Sequence, residues 1–280
     1  MPKFSLITAT KGRTTEFARL ISSLDEQAVS DYELIVVDQN EDDRLGPILA
    51  SSRRKDKIRR VRLSGPGVSN GRNEGLNLAT GEIVAFPDDD CWYPVETLKN
   101  VSDWFDANPN YDILSIASLD DNGEQSGNRW HNRSCDLSAL NIFRTTVCYC
   151  FFVRRVEKMR EIRFDREIGP GARSPYGASE DTDYVLMAMG KGLRGRFEGK
   201  WHIGHPRKDV RNASVTADRT YHYGQGMGLV QKKHGMMTLW CSFVLYDMLR
   251  AGLMTAVGRK QTASLWYAHG RGLFQGFCTR

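Results

Sequence analysis

The first half of the chain alternates strand-like and helix-like segments, and this alternation restricts the fold more than any other feature. Four short apolar runs have the length and composition of buried strands: 4–9, 33–37, 82–86 and 113–119. Between them, apolar residues recur at helical spacing, as at Phe17, Leu20 and Leu24 and within a predicted helix over 73–79. Repeated β-α-β units predict an α/β fold with a mostly parallel sheet and helices on both faces.

The sequence pattern changes near residue 120, where a polar stretch interrupts the alternation of strand-like and helix-like segments. A further helix is predicted from Ser179, and the segment 237–257 is apolar almost all round. We therefore expect one domain over 1–235, in two halves that meet near residue 119, followed by a helical C-terminal extension over 236–280.

Composition excludes several classes of protein. With 280 residues, 40% of them hydrophobic, the chain can bury a sizeable core, and no repeat suggests a fibre. A net charge of +5 suits acidic small molecules or a phospholipid surface. No basic stripe interleaved with aromatic residues is present, so nucleic acid is not an expected partner. The six scattered cysteines and the strand-like start suggest a reduced, cytoplasmic setting.

Polar residues gather where the predicted strands end: Thr10, Asp38 and the consecutive Asp88, Asp89 and Asp90. In open α/β sheets, ligands bind outside the carboxyl ends of the strands. Crowded carboxylates suit Mg²⁺ or Mn²⁺, which can bridge protein oxygens to substrate phosphates, although an exposed acidic turn is the alternative. Neither GxGxxG nor GxxxxGK[ST] is present, which disfavours a dinucleotide-binding Rossmann site and a P-loop.

The segments around this acidic cluster resemble the inverting family 2 glycosyltransferases. Residues 67–75 read GVSNGRNEG and residues 79–90 read ATGEIVAFPDDD, in the order and spacing of that family's donor-binding segments. Residues 4–13 and 32–38 are similar to its first two strands, although Ala9, Lys11 and the pair Gln39-Asn40 depart from the pattern. The resemblance covers 4–95 and returns at 169–192.

This resemblance implies a GT-A fold, with a nucleotide-sugar-binding half over 1–119 and an acceptor-binding half over 120–235. It places Thr10 and Asp38 against the nucleoside of the donor. Arg72 is placed near the diphosphate or against the aspartate loop; a structural ion pair with Asp88 or Glu74 is the alternative.

The same resemblance makes Asp88 and Asp90 the outer residues of the family's DxD motif, with Asp89 at its variable position. Asp90 is expected to bind the metal, and Asp88 is expected to contact the metal or the ribose. We include Asp89 among the residues expected to bind the nucleotide sugar.

A second acidic group begins at Ser179, where Glu180, Asp181 and Asp183 follow in the first turn of the predicted helix. Helix capping alone explains such a pattern in many proteins. In the family this segment carries the catalytic base, which implies that Asp181 accepts the proton of the acceptor hydroxyl, with Glu180 as the fallback. Asp183 is expected to face solvent.

The late histidines and basic residues form a third group. The resemblance suggests His205 as a ligand of the metal or the diphosphate. Arg207, Lys208 and Arg211 follow and either close over the diphosphate or form a basic surface loop. The Gly-rich segment 221–228 is interpreted as the end of a mobile loop.

These patterns predict an inverting glycosyltransferase that uses Mg²⁺ or Mn²⁺, a nucleotide-sugar donor and a saccharide or lipid-linked saccharide acceptor in polysaccharide or glycolipid assembly. The oligomeric state is left open. The tail has two interpretations: peripheral contact with the inner face of the cell membrane, through Trp240 and Phe243, or burial against the core. A nucleotidyltransferase and a catalytically inactive nucleotide-sugar-binding subunit are the alternative functions.

Overall fold

The computed structural model describes residues 1–207 and 216–279. The chain divides into two compact units. Unit 1 contains the described parts of Met1–Gly65, Asn70–Arg163 and Met187–Lys208. Unit 2 contains the described parts of Pro66–Ser69, Phe164–Leu186 and Asp209–Arg280. The domain limits drawn from the sequence remain predictions.

Unit 1 is built on a mixed sheet that has eight strands in the described residues. The strands are β1 (Phe4–Thr10), β2 (Tyr32–Asp38), β3 (Ile58–Arg62), β4 (Ile83–Ala85), β5 (Ile113–Leu119), β6 (Cys135–Asp136), β7 (Phe151–Arg154) and β8 (Gly195–Gly204). Their order across the sheet is β3-β2-β1-β4-β7-β5-β8-β6. Strands β1 to β4 therefore lie side by side at one end of the sheet, and β7 separates them from β5.

Strand direction follows from how the strands are connected. Strands β1 to β4 are joined through helices and pair in parallel, as β-α-β connections require. Strand β7 is antiparallel to β4 and β5, whereas β5 and β8 are parallel. Nearly every position of β1 and β2 is buried, so both faces of this part of the sheet are covered. The predicted α/β class with a mostly parallel sheet is confirmed.

Eight α-helices complete the described chain. They are α1 (Thr15–Asp25), α2 (Gly46–Ser51), α3 (Val68–Leu78), α4 (Thr97–Ala107), α5 (Glu180–Gly190), α6 (Ala217–Lys233), α7 (Met237–Ala256) and α8 (Lys260–Cys278). Helix α3 begins five residues before the predicted 73. The interpretation of 221–228 as a loop end is wrong, since these residues lie inside α6. No helix in the described ranges has both the length and the apolar character needed to cross a membrane.

Glycines explain why the Gly-rich segment is helical. Added Cβ atoms at Gly224 and Gly228 of α6 would overlap the carbonyl oxygens of His269 and Leu273 in α8. Added Cβ atoms at Gly272 and Gly276 of α8 would overlap carbonyl oxygens of α6 in return. The two helix backbones are thus in direct contact, and only residues without a side chain permit this approach.

This packing predicts opposite effects for two Gly→Ala changes in unit 2. Gly276→Ala is expected to destabilise the fold by about 1–3 kcal/mol, because its methyl group meets the carbonyl of Gln225. Gly252→Ala, in α7, places its methyl where no atom lies within 4 Å, and is expected to stabilise by roughly 0.5–1 kcal/mol through helix propensity. Thermal unfolding measures both. Equal melting temperatures for the two variants would contradict the close packing of α6 on α8.

Candidate active site

The carboxyl ends of β1, β2 and β4 form the candidate site of unit 1. Thr10 and Asp38, the last residues of β1 and β2, are paired in the strand register. Asp88 to Asp90 follow β4, which pairs with β1 on the other side. The Thr10 hydroxyl donates a hydrogen bond of 2.7 Å to Asp89 Oδ2. The sheet therefore brings together the residues that the sequence placed at its strand ends.

Asp88, Asp90 and His205 form a group that can hold a metal ion. One ligand atom from each lies within 4.8 Å of the other two. His205 Nε2 is 3.4 Å from Asp90 Oδ1. Two carboxylates and an imidazole are a donor set that fits a divalent cation such as Mn²⁺. The three residues predicted as metal ligands are thus adjacent in the structure, and their role as ligands remains a prediction.

The position of His205 is set by its surroundings in unit 1. Its ring stacks on Tyr149, with centroids 4.4 Å apart and planes within 4°. Its backbone N–H donates to the carbonyl of Leu119 at the end of β5, at 2.9 Å. His205 is 3% exposed, and its Nδ1 atom has no hydrogen-bond partner among the described residues. A rigid, nearly buried imidazole with Nε2 toward a carboxylate is well placed for metal binding.

Arg13 joins this acidic cluster, and the sequence did not indicate that role. Its guanidinium pairs with Asp90 and lies 3.1 Å from Asp89 Oδ1. Burial opposes ionisation of Asp90, but His205 and Arg13 outweigh it and hold the pKa of that carboxyl well below its usual range. For Asp89 burial dominates, and its pKa rises to about 6 despite Arg13 and Thr10. Asp90 is thus the more firmly ionised of the two carboxylates.

Arg72 is delivered to the cluster by the close approach of α3 to β1. An added Cβ at Gly71 would lie 2.6 Å from Ala9 Cβ, and one at Gly75 would overlap Ile7. Both glycines belong to the GVSNGRNEG segment, so their absence of a side chain lets the helix rest on the strand. Arg72 is 3% exposed, and its Nη2 is 2.8 Å from Asp88 Oδ1. The structure contains the ion pair with Asp88 that the sequence left as an alternative.

Asp38 is fully buried at the end of β2 and is held by neighbouring side chains. Arg60 Nη2 lies 2.6 Å from Asp38 Oδ2, and the Asn40 amide donates to Oδ1 at 2.7 Å. This role of Arg60 was not predictable from the sequence, because a basic residue on an outer strand normally faces water. The contact of Asp38 with the nucleoside remains a prediction.

Unit 2 carries the second acidic group, at the start of α5. Glu180 is 6% exposed, whereas Asp181 is half-buried and its Oδ1 accepts the backbone N–H of Thr182 at 2.7 Å. Ser179, just before them, has a φ of 78°, a left-handed value that is uncommon for a residue other than glycine. Strained residues of this kind concentrate at functional sites. Of the two predicted bases, Asp181 is the more accessible.

The expectation that Asp183 faces solvent is wrong. Its side chain is fully buried. Its Oδ1 atom lies 2.7 Å from His234 Nε2, and its Oδ2 atom lies 2.8 Å from Lys233 Nζ, at the end of α6. A buried carboxylate needs such partners, because an unpaired charge in the interior is costly. Asp183 thus ties α5 to α6 within unit 2.

An open cavity of about 400 Å³ also lies in unit 2. Its lining includes the loop residues Gly169 and Gly171 and the α6 side chains Arg219, His222 and Tyr223. An added Cβ at Gly169 would lie 3.0 Å from the Glu180 carboxylate, so the cavity wall adjoins the start of α5. Aromatic, imidazole and guanidinium groups in one cleft can stack against and hydrogen-bond a polar ligand.

The basic residues after His205 are only partly described. Arg207 pairs with Glu124 in unit 1. Lys208 and Arg211 lie outside the described residues.

Residues 5–163, more than half of the chain, match the family model Glycosyl transferase family 2. The chain belongs to glycosyltransferase family 2. The predicted resemblance is therefore confirmed, and the matched segment of this family 2 chain includes Thr10, Asp38, Arg72 and the three consecutive aspartates.

Several named relatives align with parts of this family 2 chain. It is 27% identical over 156 residues to the uncharacterized glycosyltransferase alr2836 of Nostoc, across 53% of this chain and 48% of that protein. It is 32% identical over 127 residues to the poly(ribitol-phosphate) beta-N-acetylglucosaminyltransferase TarS of Staphylococcus aureus, across 44% of this chain and 22% of TarS. It is 33% identical over 93 residues to the GalNAc(5)-diNAcBac-PP-undecaprenol beta-1,3-glucosyltransferase of Campylobacter jejuni, across 32% and 30%. The alignments thus span about half the length of these relatives or less.

Solved structures share the fold over nearly the whole chain. TarS residues 1–349 in complex with UDP-GlcNAc superpose with a TM-score of 0.62 at 20% identity, covering 98% of this chain and 89% of that one. The mannosyltransferase PcManGT from Pyrobaculum calidifontis, in complex with GDP-Man and Mn²⁺, gives 0.63 at 15% identity, covering 98% and 86%. This likeness confirms the predicted GT-A fold of the family 2 chain.

Proposed function

We propose that this chain is a metal-dependent, inverting glycosyltransferase that moves a sugar from a nucleotide diphosphate donor to an acceptor hydroxyl. The observation that carries the proposal is the grouping of Asp88, Asp90 and His205 within 4.8 Å at the carboxyl end of a family 2 sheet. Acidic residues at this place in an α/β sheet suit a divalent cation, which in turn can bind the phosphates of a ligand.

The donor is assigned to the strand ends of unit 1. Asp88, Asp90 and His205 would hold Mg²⁺ or Mn²⁺, which when bound would stabilise negative charge on the departing nucleoside diphosphate. Arg72 fixes the orientation of Asp88 through their 2.8 Å ion pair. Thr10 and Asp38, paired at the ends of β1 and β2, are assigned to the nucleoside.

The base is assigned to Asp181, with Glu180 as the fallback. Inversion needs one displacement, in which a base removes the proton of the attacking hydroxyl. Asp181 is half-buried, so an acceptor can reach it, whereas Glu180 is 6% exposed. The N-terminal end of α5 favours the ionised carboxylate that a base requires.

The acceptor is assigned to the saccharides or lipid-linked saccharides of polysaccharide or glycolipid assembly, at the cytoplasmic face of the membrane. Two relatives support this class by name, one acting on poly(ribitol-phosphate) and the other on an undecaprenol-linked saccharide. The cavity lined by Arg219, His222 and Tyr223 offers polar and aromatic groups for such a ligand.

Two alternatives are disfavoured. A nucleotidyltransferase would need a basic, Gly-rich phosphate-binding loop after β1, where this chain has only Lys11-Gly12-Arg13. A catalytically inactive nucleotide-sugar-binding subunit has no need of a base, yet this chain carries Glu180 and Asp181 at a strained helix start.

Donor screening tests the proposal. We expect one of the UDP-, GDP- or dTDP-sugars to raise the melting temperature when Mn²⁺ is present, by roughly 5–10 °C at a hundredfold excess over its dissociation constant. The matching donor is expected to be slowly hydrolysed in the absence of acceptor. Stabilisation without any hydrolysis or transfer would favour the inactive subunit, and release of pyrophosphate from a nucleoside triphosphate would favour the nucleotidyltransferase.

A further inference from the structure

The outward surface of α7 is unusually apolar. Leu245, Leu249, Leu253 and Val257 recur every fourth residue and are exposed by 60%, 65%, 51% and 56%. This spacing places them in one stripe along the helix. A surface helix of a water-soluble protein normally shows the reverse pattern, with its apolar stripe turned inward. A large contiguous apolar patch of this kind marks a site of interaction.

The two charged side chains of α7, Asp247 and Arg250, turn inward instead. Asp247 is 3% exposed, and its Oδ2 lies 2.6 Å from His269 Nδ1 of α8. The Arg250 guanidinium lies over the ring of Trp266, 5.6 Å from its centroid. The two charged groups of α7 in this hairpin (Met237–Cys278) therefore contact α8, whereas the leucine stripe faces outward.

Charge identifies the partner of this surface. Asp247 is the only acidic residue between Met237 and Thr279, and it is buried against His269. The exposed charges of the hairpin are cations: Arg259 and Lys260, where α7 meets α8, and Arg271 of α8. Apolar residues bordered by cations, with no exposed acid, complement an anionic lipid surface.

A groove between the helices adds to the same surface. It has a volume of about 480 Å³ and is lined mainly by apolar groups, including Met248, Ala251 and Ala263. Lys260 and Tyr267 also contribute to its lining. A cation and an aromatic hydroxyl beside an apolar groove match the boundary between lipid headgroups and acyl chains.

We infer that the α7–α8 hairpin docks on an anionic lipid bilayer, with Leu245, Leu249 and Leu253 at the acyl boundary and Arg259 and Lys260 among the headgroups. A second copy of the chain is a poorer occupant. In a symmetric dimer this face would meet itself, and the hairpin has no exposed acid with which the partner could pair its cations. The inference does not depend on the transfer reaction.

The residues to test differ from those that the sequence suggested. Trp240 is half-buried, stacks on Phe277 with centroids 4.2 Å apart, and donates its indole N–H to the Leu273 carbonyl. Changing it would damage the hairpin itself. Leu249 and Leu253 are exposed, so their replacement by Gln should leave the fold intact.

The test is co-sedimentation of the full chain with vesicles of phosphatidylglycerol and phosphatidylcholine in equal amounts, and with vesicles of phosphatidylcholine alone. We expect the wild type to prefer the anionic vesicles and to bind less at high salt. Leu249→Gln with Leu253→Gln should weaken binding at least about 100-fold, and Arg259→Gln with Lys260→Gln about tenfold or more. Leu140→Gln is the matched control, since Leu140 is 83% exposed in unit 1 and should not affect binding.

Three results would overturn the inference. They are no binding to anionic vesicles, equal binding of the wild type and the double leucine variant, and a dimer in solution that this double variant converts to a monomer. Donor hydrolysis in the absence of lipid separates this inference from the proposed function, because it should be the same in all of these variants.

Discussion

Asp181→Asn is expected to slow sugar transfer by roughly 10²–10⁴-fold and to leave donor affinity nearly unchanged. Asparagine has the size of aspartate, and its amide oxygen can still accept the Thr182 N–H that Asp181 accepts at 2.7 Å. The start of α5 is thus preserved while the basic group is lost. The measurements are the transfer rate at saturating donor, the dissociation constant of the donor and the melting temperature.

Two further variants distinguish a base from a helix cap. If the Ser179 hydroxyl caps α5, Ser179→Ala should cost about 1 kcal/mol of stability and leave the transfer chemistry intact. Glu180→Gln should affect transfer less than Asp181→Asn, because Glu180 is only 6% exposed. Near-normal transfer by Asp181→Asn would refute the assignment and move it to Glu180.

The fold of the first half was predictable because its information is local. Buried parallel strands have near-continuous apolar runs, such as those of β1 and β2. In the helices between them, apolar residues recur every three or four positions. Strands β7 and β8 were not predicted. Strand β8 carries Glu198, Gly199 and Lys200 in its middle, where its pairing with β5 shifts register. Polar residues at such an irregularity interrupt the apolar pattern that identifies a strand.

The Gly-rich segment of α6 shows a different limit. Glycine normally lowers helix propensity, so composition alone indicates a loop. The helix is nevertheless formed, because Gly224 and Gly228 let α8 approach to backbone contact. The packing that offsets the low helix propensity of these glycines involves Gly272 and Gly276, far along the chain. A local sequence pattern does not contain this contact. The interval of four between the glycines in each helix was the available signal.

The candidate site was predictable where its residues follow a strand and harder to predict where a side chain arrives from elsewhere. The three aspartates and Thr10 stand at strand ends, and the strand order brings them together. Arg13 could be assigned to Asp90 only once β1 and β4 were known to be neighbours. Asp183 is only two residues from Asp181, but it is buried and pairs with Lys233 and His234, about fifty residues later in the chain.

Removal of divalent metal with EDTA is expected to abolish transfer, and Asp90→Ala is expected to weaken donor binding at least about tenfold in the presence of Mn²⁺. Asp90 lies in a group with Asp88 and His205 whose ligand atoms are within 4.8 Å of one another. Isothermal titration of the donor, with and without Mn²⁺, measures the effect. In the wild type Mn²⁺ should strengthen donor binding, and in Asp90→Ala this dependence should be largely lost.

Asp90→Ala removes both a predicted metal ligand and a negative charge, and a control variant must distinguish the two effects. Asp103→Ala makes the same chemical change at an exposed position of α4, where Asp103 pairs with Lys99 at 2.8 Å, and should leave donor binding and sensitivity to EDTA unchanged. Asp90→Ala relieves repulsion with Asp88 and Asp89, but it also removes the partner of Arg13 and His205. These interactions hold the pKa of Asp90 below its usual range, so the ionised carboxylate stabilises the fold and its loss should lower the melting temperature without unfolding the protein. Full transfer in EDTA, or wild-type dependence on Mn²⁺ in a folded Asp90→Ala variant, would contradict the metal assignment.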